Sequence, residues 1–453
     1  MNATPAIPPQ PMLSLRITLS ALLLFLLAHA GAPAEDRTST TPDPLDRPAI
    51  ERRIDDGIRV LNRLYWSPTL AIWLDRTGDD LRAHYEGRLN PPWWSSANAV
   101  EVLIDFMNAT GSHTYDSAVA DLYELHQERG RTDTRLVAEL KHRGQWNDDD
   151  EAKWQRRQNE PKPAPKADDD SYSQFRNEYL DDSAWWGLAW LKMYDRTKDQ
   201  KYLTTAKAIH AHMAKAWRPE KGGGILWCLD EDKQHPNAIT NSLFIILSAR
   251  LHQRTHDPEY LRRAEQALAW FHARALFDGS GVVDAPGHHG DYWTYNQGAF
   301  LGGLTALYSA TGRQEYLDEA TTTARAMLLH SGLILPSGVL VEKLGTKGWD
   351  PGLFKGIMIR YLGQLRDVLE AHPFDAAQGR SAKADPQLAQ DLDHVIRASA
   401  ASLIAHSLAP DGQYTVAWQE GAKDSTANFN TQTSALAALV AVLRGSDPLN
   451  PSN

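Results

Sequence analysis

The chain has 453 residues, 42% of them hydrophobic and 23% charged, with a formal net charge of -10. That apolar content excludes global disorder. The balance of 57 Asp+Glu against 47 Lys+Arg argues against a nucleic-acid-binding surface, and a single cysteine, Cys228, excludes an intrachain disulfide or a multi-cysteine metal site.

Residues 17–28 (ITLSALLLFLLA) follow Arg16 and are closed by Ala28-His29-Ala30. A run of that length ending in small residues predicts a signal peptide over 1–30 and an exported protein, periplasmic or extracellular; an uncleaved anchor is the alternative. The Pro/Thr/Asp-rich stretch over 31–48 reads as a linker.

From residue 49 to about 446 the apolar spacing is helical, and it repeats. An apolar helix, a tight polar turn and an amphipathic helix recur, with Tyr-Leu pairs opening the second helix at Tyr202, Tyr260 and Tyr316. About twelve helices are predicted, starting near Ala49, Ser96, Thr114, Asp182, Gln200, Ala238, Pro258, Asn296, Gln314, Phe354, Pro386 and Phe429. The even-numbered ones are the more apolar, the helix from Asp182 on all sides, and the odd-numbered ones are charged on one face. That alternation predicts an all-α fold, an (α/α)6 barrel of six inner and six outer helices in one domain, rather than an open solenoid with polar caps. The connections back to the inner helices are long, so the loops and the inner N-termini share one face, where a site is expected. The segment from about 131 to 176 reads as a charged loop insertion, its Asp148–Asp150 and Asp168–Asp170 runs as solvated loop, and 447–453 as a tail.

On that face Asp181 and Asp182 open the fourth helix, followed by Trp185 and Trp186. An N-cap with a first-turn acid is the plain structural reading. Paired carboxylates in an aromatic-walled site also suit glycoside hydrolysis. Candidate ligands of a hydroxyl-rich substrate then follow in chain order: Trp227, Asn237, Asn241, Trp293, Tyr295, Asn296, Gln297, Lys355 and Arg360. Lys355 stands at a helix start that disfavours a cation, so a negative partner is expected. His288-His289 lacks a third ligand at metal-like spacing, so no metal or other cofactor is expected. Trp outnumbers Phe 15 to 10 and clusters in the long connections, which suggests platforms for sugar rings at the open end.

Four segments, YLDDSAWWGLAW, GGGILW…NAITN, WTYNQG and FKGIMIRY, stand in an order that resembles glycoside hydrolase family 76, the endo-α-1,6-mannanases, over roughly residues 50 to 443. The resemblance implies an (α/α)6 barrel, hydrolysis of α-1,6-linked mannose chains with retention, Asp181 as nucleophile and Asp182 as acid/base. The 131–176 segment is longer and more charged than that family pattern. The expected protein is a monomer whose partner is a mannan-type polysaccharide, endo-acting in preference to exo. Transglycosylation, uronic-acid chemistry, a non-catalytic mannan-binding role and, more distantly, epimerisation are the alternatives.

Overall fold

The computed structural model describes residues 45–75, 80–88, 91–127, 131–159, 175–288, 290–371 and 385–445. Helices dominate them, in the order α1 (Arg47–Tyr65), α2 (Leu81–Tyr85), α3 (Trp93–Thr110), α4 (Asp116–His126), α5 (Arg131–His142), α6 (Asp148–Asn159), α7 (Leu180–Thr197) and α8 (Gln200–Ala214). There follow α9 (Ala238–Thr255), α10 (Pro258–Ala273), α11 (Thr294–Thr311), α12 (Gln314–His330), α13 (Pro351–Ala371), α14 (Pro386–His406) and α15 (Phe429–Gly445). A two-stranded antiparallel ribbon, β1 (Trp66–Ser67) and β2 (Ile72–Trp73), follows α1. The predicted signal peptide, the linker up to residue 44 and the C-terminal tail lie outside the described residues.

All twelve expected helices are present, and their packing decides between barrel and solenoid. Helix α3 packs on α7, α7 on α9, α9 on α11, α11 on α13, α13 on α15, and α15 returns to α3. That last contact closes the ring and removes the open ends a solenoid would have to cap. Outside it, α1 lies on α15, α8 on α7, α10 on α9, α12 on α11 and α14 on α13. Tyr123 of α4 meets Trp190 of α7 edge-on, 5.0 Å between ring centroids. Inner helices touch neighbours on every side, which is why their sequences lack a polar face. Small residues let them approach: a Cβ on Gly356 of α13 would stand 2.6 Å from the Ser434 backbone of α15.

The charged insertion departs from its reading as loop. Leu136 and Leu140 of α5 are buried, and Asp148–Asp150 form the first turn of α6. Asp150 is 2% exposed and accepts a fork from Arg82 of α2 at 2.8 and 3.0 Å. The acid run therefore serves a helix N-terminus and a buried ion pair. Asp168–Asp170 lie outside the described residues.

Candidate active site

Asp181 and Asp182 occupy the first turn of α7, whose N-cap, Tyr179, offers no side-chain cap. Asp181 accepts on both oxygens: Oδ1 from the Asp182 backbone N–H at 3.1 Å, Oδ2 from the Trp227 indole N–H at 3.1 Å. Asp182 accepts on Oδ2 alone, from the Asn177 amide at 2.9 Å. Trp227 is brought there by the loop after α8, which bridges back to α7 through Tyr179 and Cys228 and through Leu180 N–H to Trp227 O at 2.9 Å. Gly224 shapes that loop: its φ is +91°, and a Cβ there would meet Trp270 at 2.6 Å.

Both carboxyls keep some accessible surface, yet the protein around them excludes most of the water. Burial therefore raises both pKa values above the ordinary Asp range. The Trp227 donor holds Asp181 back, whereas Asp182 additionally feels the charge of Asp181. A third carboxylate, Asp350, pushes both upward. It immediately precedes α13 and is tied by the Trp94 indole to its Oδ1 at 3.0 Å. Sequence reasoning missed Asp350, although an Asp before a Pro at a helix start is a recognisable signal.

Aromatic rings wall the same face. Tyr295 stacks on Phe354 with centroids 3.9 Å apart and planes 8° apart, and Trp293 meets Phe354 edge-on at 5.5 Å. Trp94 bridges Phe354 and Trp185 at 6.2 and 6.3 Å. Trp94, Trp227, Trp293 and Tyr295 are partly exposed, as stacking platforms must be. Burial raises the Tyr295 phenol, and the charges of Asp284, Asp181, Asp350 and Glu342 raise it further, which places it amid the acids of this face.

Several expected ligands belong elsewhere. Trp186 is fully buried, packed on Trp93, Phe175 and Trp190 at 5.0, 4.9 and 5.4 Å, and Trp185 is 1% exposed. Trp73, Trp185, Trp186, Trp190 and Trp418 are core residues, so the tryptophan excess is in large part packing. Lys355 is 2% exposed; its Nζ donates to Val416 O at 2.6 Å and lies 4.2 Å over the Trp418 ring. The expected negative partner is Glu342 with Asp424, felt through their charge. Arg360, at 4% exposure, is inside the ring, donating to Asn98 Oδ1 at 2.8 Å and Glu101 Oε1 at 3.0 Å. Neither cation can reach a glycan at the rim.

The amides peg loops to helices. Asn241 bonds both the N–H and the C=O of Ile225, at 2.8 and 3.0 Å, and Gln297 does the same to Val282, at 2.7 and 2.8 Å. Gln432 accepts from Tyr414 N–H at 2.7 Å. Asn237 caps α9 through Thr240 N–H at 3.2 Å, and Asn296 donates to Asp284 at 2.9 Å. Among the described residues no group of three His, Cys, Asp or Glu could hold a metal; His288 lies 3.9 Å from Asp291, and His289 is outside them.

The face thus combines two carboxyls in unequal hydrogen-bonding settings, aromatic platforms and further acids. That arrangement suits acid–base chemistry on a neutral polyol. The fold is shared with solved structures. An inactive variant of the α-1,6-mannanase GH76A of Salegentibacter sp. HEL1_6, in complex with α-1,6-mannotriose, matches with a TM-score of 0.64 at 21% identity, covering 87% of this chain and 99% of that one. Dfg5 from Chaetomium thermophilum, in complex with glucosamine, matches with 0.63 at 17% identity, covering 88% and 90%. In sequence, the mannan endo-1,6-alpha-mannosidase DCW1 of Saccharomyces cerevisiae is 27% identical over 223 residues, 43% of this chain and 49% of that protein. DCW1 of Candida albicans is 29% identical over 246 residues, covering 47% and 54%. The chain spans about half the length of these curated relatives. The family model for glycosyl hydrolase family 76 matches residues 165–450, most of the chain and the whole stretch from the acid pair to α15, and the chain belongs to that family.

Proposed function

We propose that this protein is a retaining glycoside hydrolase that cleaves α-1,6-mannosidic linkages within mannan-type polysaccharide. The observation that carries the reading is the unequal setting of the acid pair. Asp181, with N–H donors on both oxygens, is suited to remain an ionised nucleophile. Asp182, with one oxygen free of any donor, is suited to hold the proton that the leaving sugar oxygen takes up. Retention requires carboxyls ~5–5.5 Å apart, a spacing that neighbours at a helix start can adopt, while an inverting pair needs room for a water between them. In the first step Asp181 attacks the anomeric carbon as Asp182 protonates the departing oxygen. In the second, Asp182 takes a proton from water, which displaces Asp181 from that carbon. The names of the relatives, mannan endo-1,6-alpha-mannosidases and α-1,6-mannanase, support the choice of glycan. The buried positions of Lys355 and Arg360 argue against uronic-acid substrates.

The test is incubation with linear α-1,6-mannan, resolving product lengths and the anomer first released. A ladder of oligosaccharides appearing as the α-anomer is expected. Elongated products on adding an acceptor mannoside would mark transfer instead, because transfer differs only in what attacks the glycosyl-enzyme. Wild-type turnover by folded Asp181→Asn would refute the role of the pair. We also infer export from residues 1–30. Mass analysis of the mature N-terminus checks this, and retention of Met1 would refute cleavage.

A further inference from the structure

We propose that Asn177 is a positioning residue that confines the catalytic proton of Asp182 to Oδ1 and thereby separates the roles of the two acids; this rests on the hydrolase reading above. A side-chain amide nitrogen only donates, so the Asn177 Nδ2 contact to Asp182 Oδ2, 2.9 Å, makes that oxygen an acceptor. A hydroxyl oxygen is a poorer acceptor than a carbonyl oxygen, so a proton on Asp182 is favoured on the other oxygen. The amide is held in this sense by the neighbouring serine. Ser183 Oγ accepts from the Asn177 backbone N–H at 3.1 Å and lies 3.2 Å from both Asn177 Oδ1 and the Tyr179 carbonyl, between which its one hydroxyl proton is shared. Turning the amide over would set Asn177 Oδ1 against Asp182 Oδ2, two acceptors face to face, a conflict relieved only by moving the proton to Oδ2.

The segment is anchored independently of the amide. The Asn177 carbonyl lies 3.3 Å from His212 Nε2, and the Glu178 carbonyl accepts from Leu229 N–H at 2.9 Å. The charges that act most on Asp182 are those of Asp181, Asp350 and Glu178, all acids, so its proton is favoured by charge but not directed by it. Direction comes from Asn177. Asp181 has the opposite arrangement, N–H donors on both oxygens, which favours its ionised form and singles out neither oxygen for a proton.

Two substrates separate this role from mere support of the fold. α-1,6-Mannan releases a sugar alcohol, which needs the acid; an α-mannotrioside with a dinitrophenyl leaving group does not. Asn177→Ala is expected to lower kcat/KM, which reports the glycosyl-transfer step, by roughly 100-fold on mannan and by at most about threefold on the activated substrate. Ser183→Ala, which frees the amide to turn, should show the same split at smaller size. In protein carrying 13C-labelled aspartate, the Asp182 carboxyl should titrate at higher pH in Asn177→Ala, because the lost donor favoured the ionised form. Equal losses on both substrates, or no loss on either, would overturn the proposal. If the wild type turns over neither substrate, the hydrolase reading falls, and the titration alone judges Asn177: an unshifted midpoint overturns it.

Discussion

Replacing Arg360 by Met should cost stability and leave substrate binding intact, the reverse of what its place in the FKGIMIRY segment suggests. The guanidinium donates to Asn98 Oδ1 at 2.8 Å, Asn98 O at 3.2 Å and Glu101 Oε1 at 3.0 Å, with both charged side chains at 3% exposure or less. Removing it strips Glu101 of one cation and leaves the Asn98 oxygens without this donor. Breaking a buried pair costs ~3–5 kcal/mol. Glu101 keeps Lys192 at 2.9 Å, which places the cost at the lower end, ~3 kcal/mol. At ~2.1 cal/mol/K per residue, a barrel of roughly 400 residues unfolds with an entropy of ~0.8 kcal/mol/K, so Tm should fall by ~3–4 °C. Arg360→Lys should lose a comparable amount, because an ammonium cannot reproduce the guanidinium fork. Calorimetry with steady-state kinetics on α-1,6-mannan reads both quantities. An unchanged Tm with a tenfold higher KM would refute the reasoning and return Arg360 to the glycan.

Asp182→Asn should abolish turnover on mannan yet melt higher than wild type at pH 7–8. A carboxyl with a raised folded pKa loses stability as pH rises, so the gain, about 0.5–2 kcal/mol, should vanish below pH 4. Melting curves across that range check it, and a gain independent of pH would contradict it. Asp350→Asn removes a charge that helps keep the pair protonated, so the basic limb of the kcat/KM profile should move to lower pH; a limb that stays in place would exclude the field effect. Burial lowers the Lys355 pKa to about 7, so the unfolded chain binds more protons than the folded one between pH 7 and 10. Wild-type stability relative to Lys355→Met should therefore rise across that window, and parallel curves would refute the assignment.

The barrel was legible because an inner helix of such a ring has no solvent face. Helices α7 and α11 carry apolar residues all round, while α10, with YLRRAEQALAWFHA, sets one apolar face against the core. The acid pair was legible from its doublet and the tryptophans after it. Depth was not legible. Lys355 and Arg360 stand five residues apart on α13 and look alike in sequence, yet both are buried, Lys355 against Val416 and Trp418 of the loop after α14 and Arg360 against Asn98 and Glu101 of α3. Trp186 and Trp94 are equally aromatic, and only the fold sends one to the core and the other to the cleft. Helices α5 and α6 were missed because charge runs mask a thin apolar stripe on α5, Leu136, Val137 and Leu140, and leave α6 only Asp150 and Trp154 buried. Asn177 belongs to no motif; its importance lies in a contact made across the turn into α7.

The side-chain pegs carry a consequence for how such an enzyme can change its diet. Because Asn241 clamps Ile225, Gln297 clamps Val282 and Gln432 clamps Tyr414, each connection is fastened near its root to an inner helix that the ring already holds rigid. The stretch beyond the Val282 fastening can lengthen, shorten or be exchanged without transmitting strain to Asp181 and Asp182, whereas the one beyond Ile225 carries Trp227, which donates to Asp181, and must stay. The molecule is thus built as a fixed chemical head with an interchangeable finger. Transplanting residues 286–291 from a relative of different chain-length preference should alter which oligosaccharides are grasped and leave the bond-breaking step as it was.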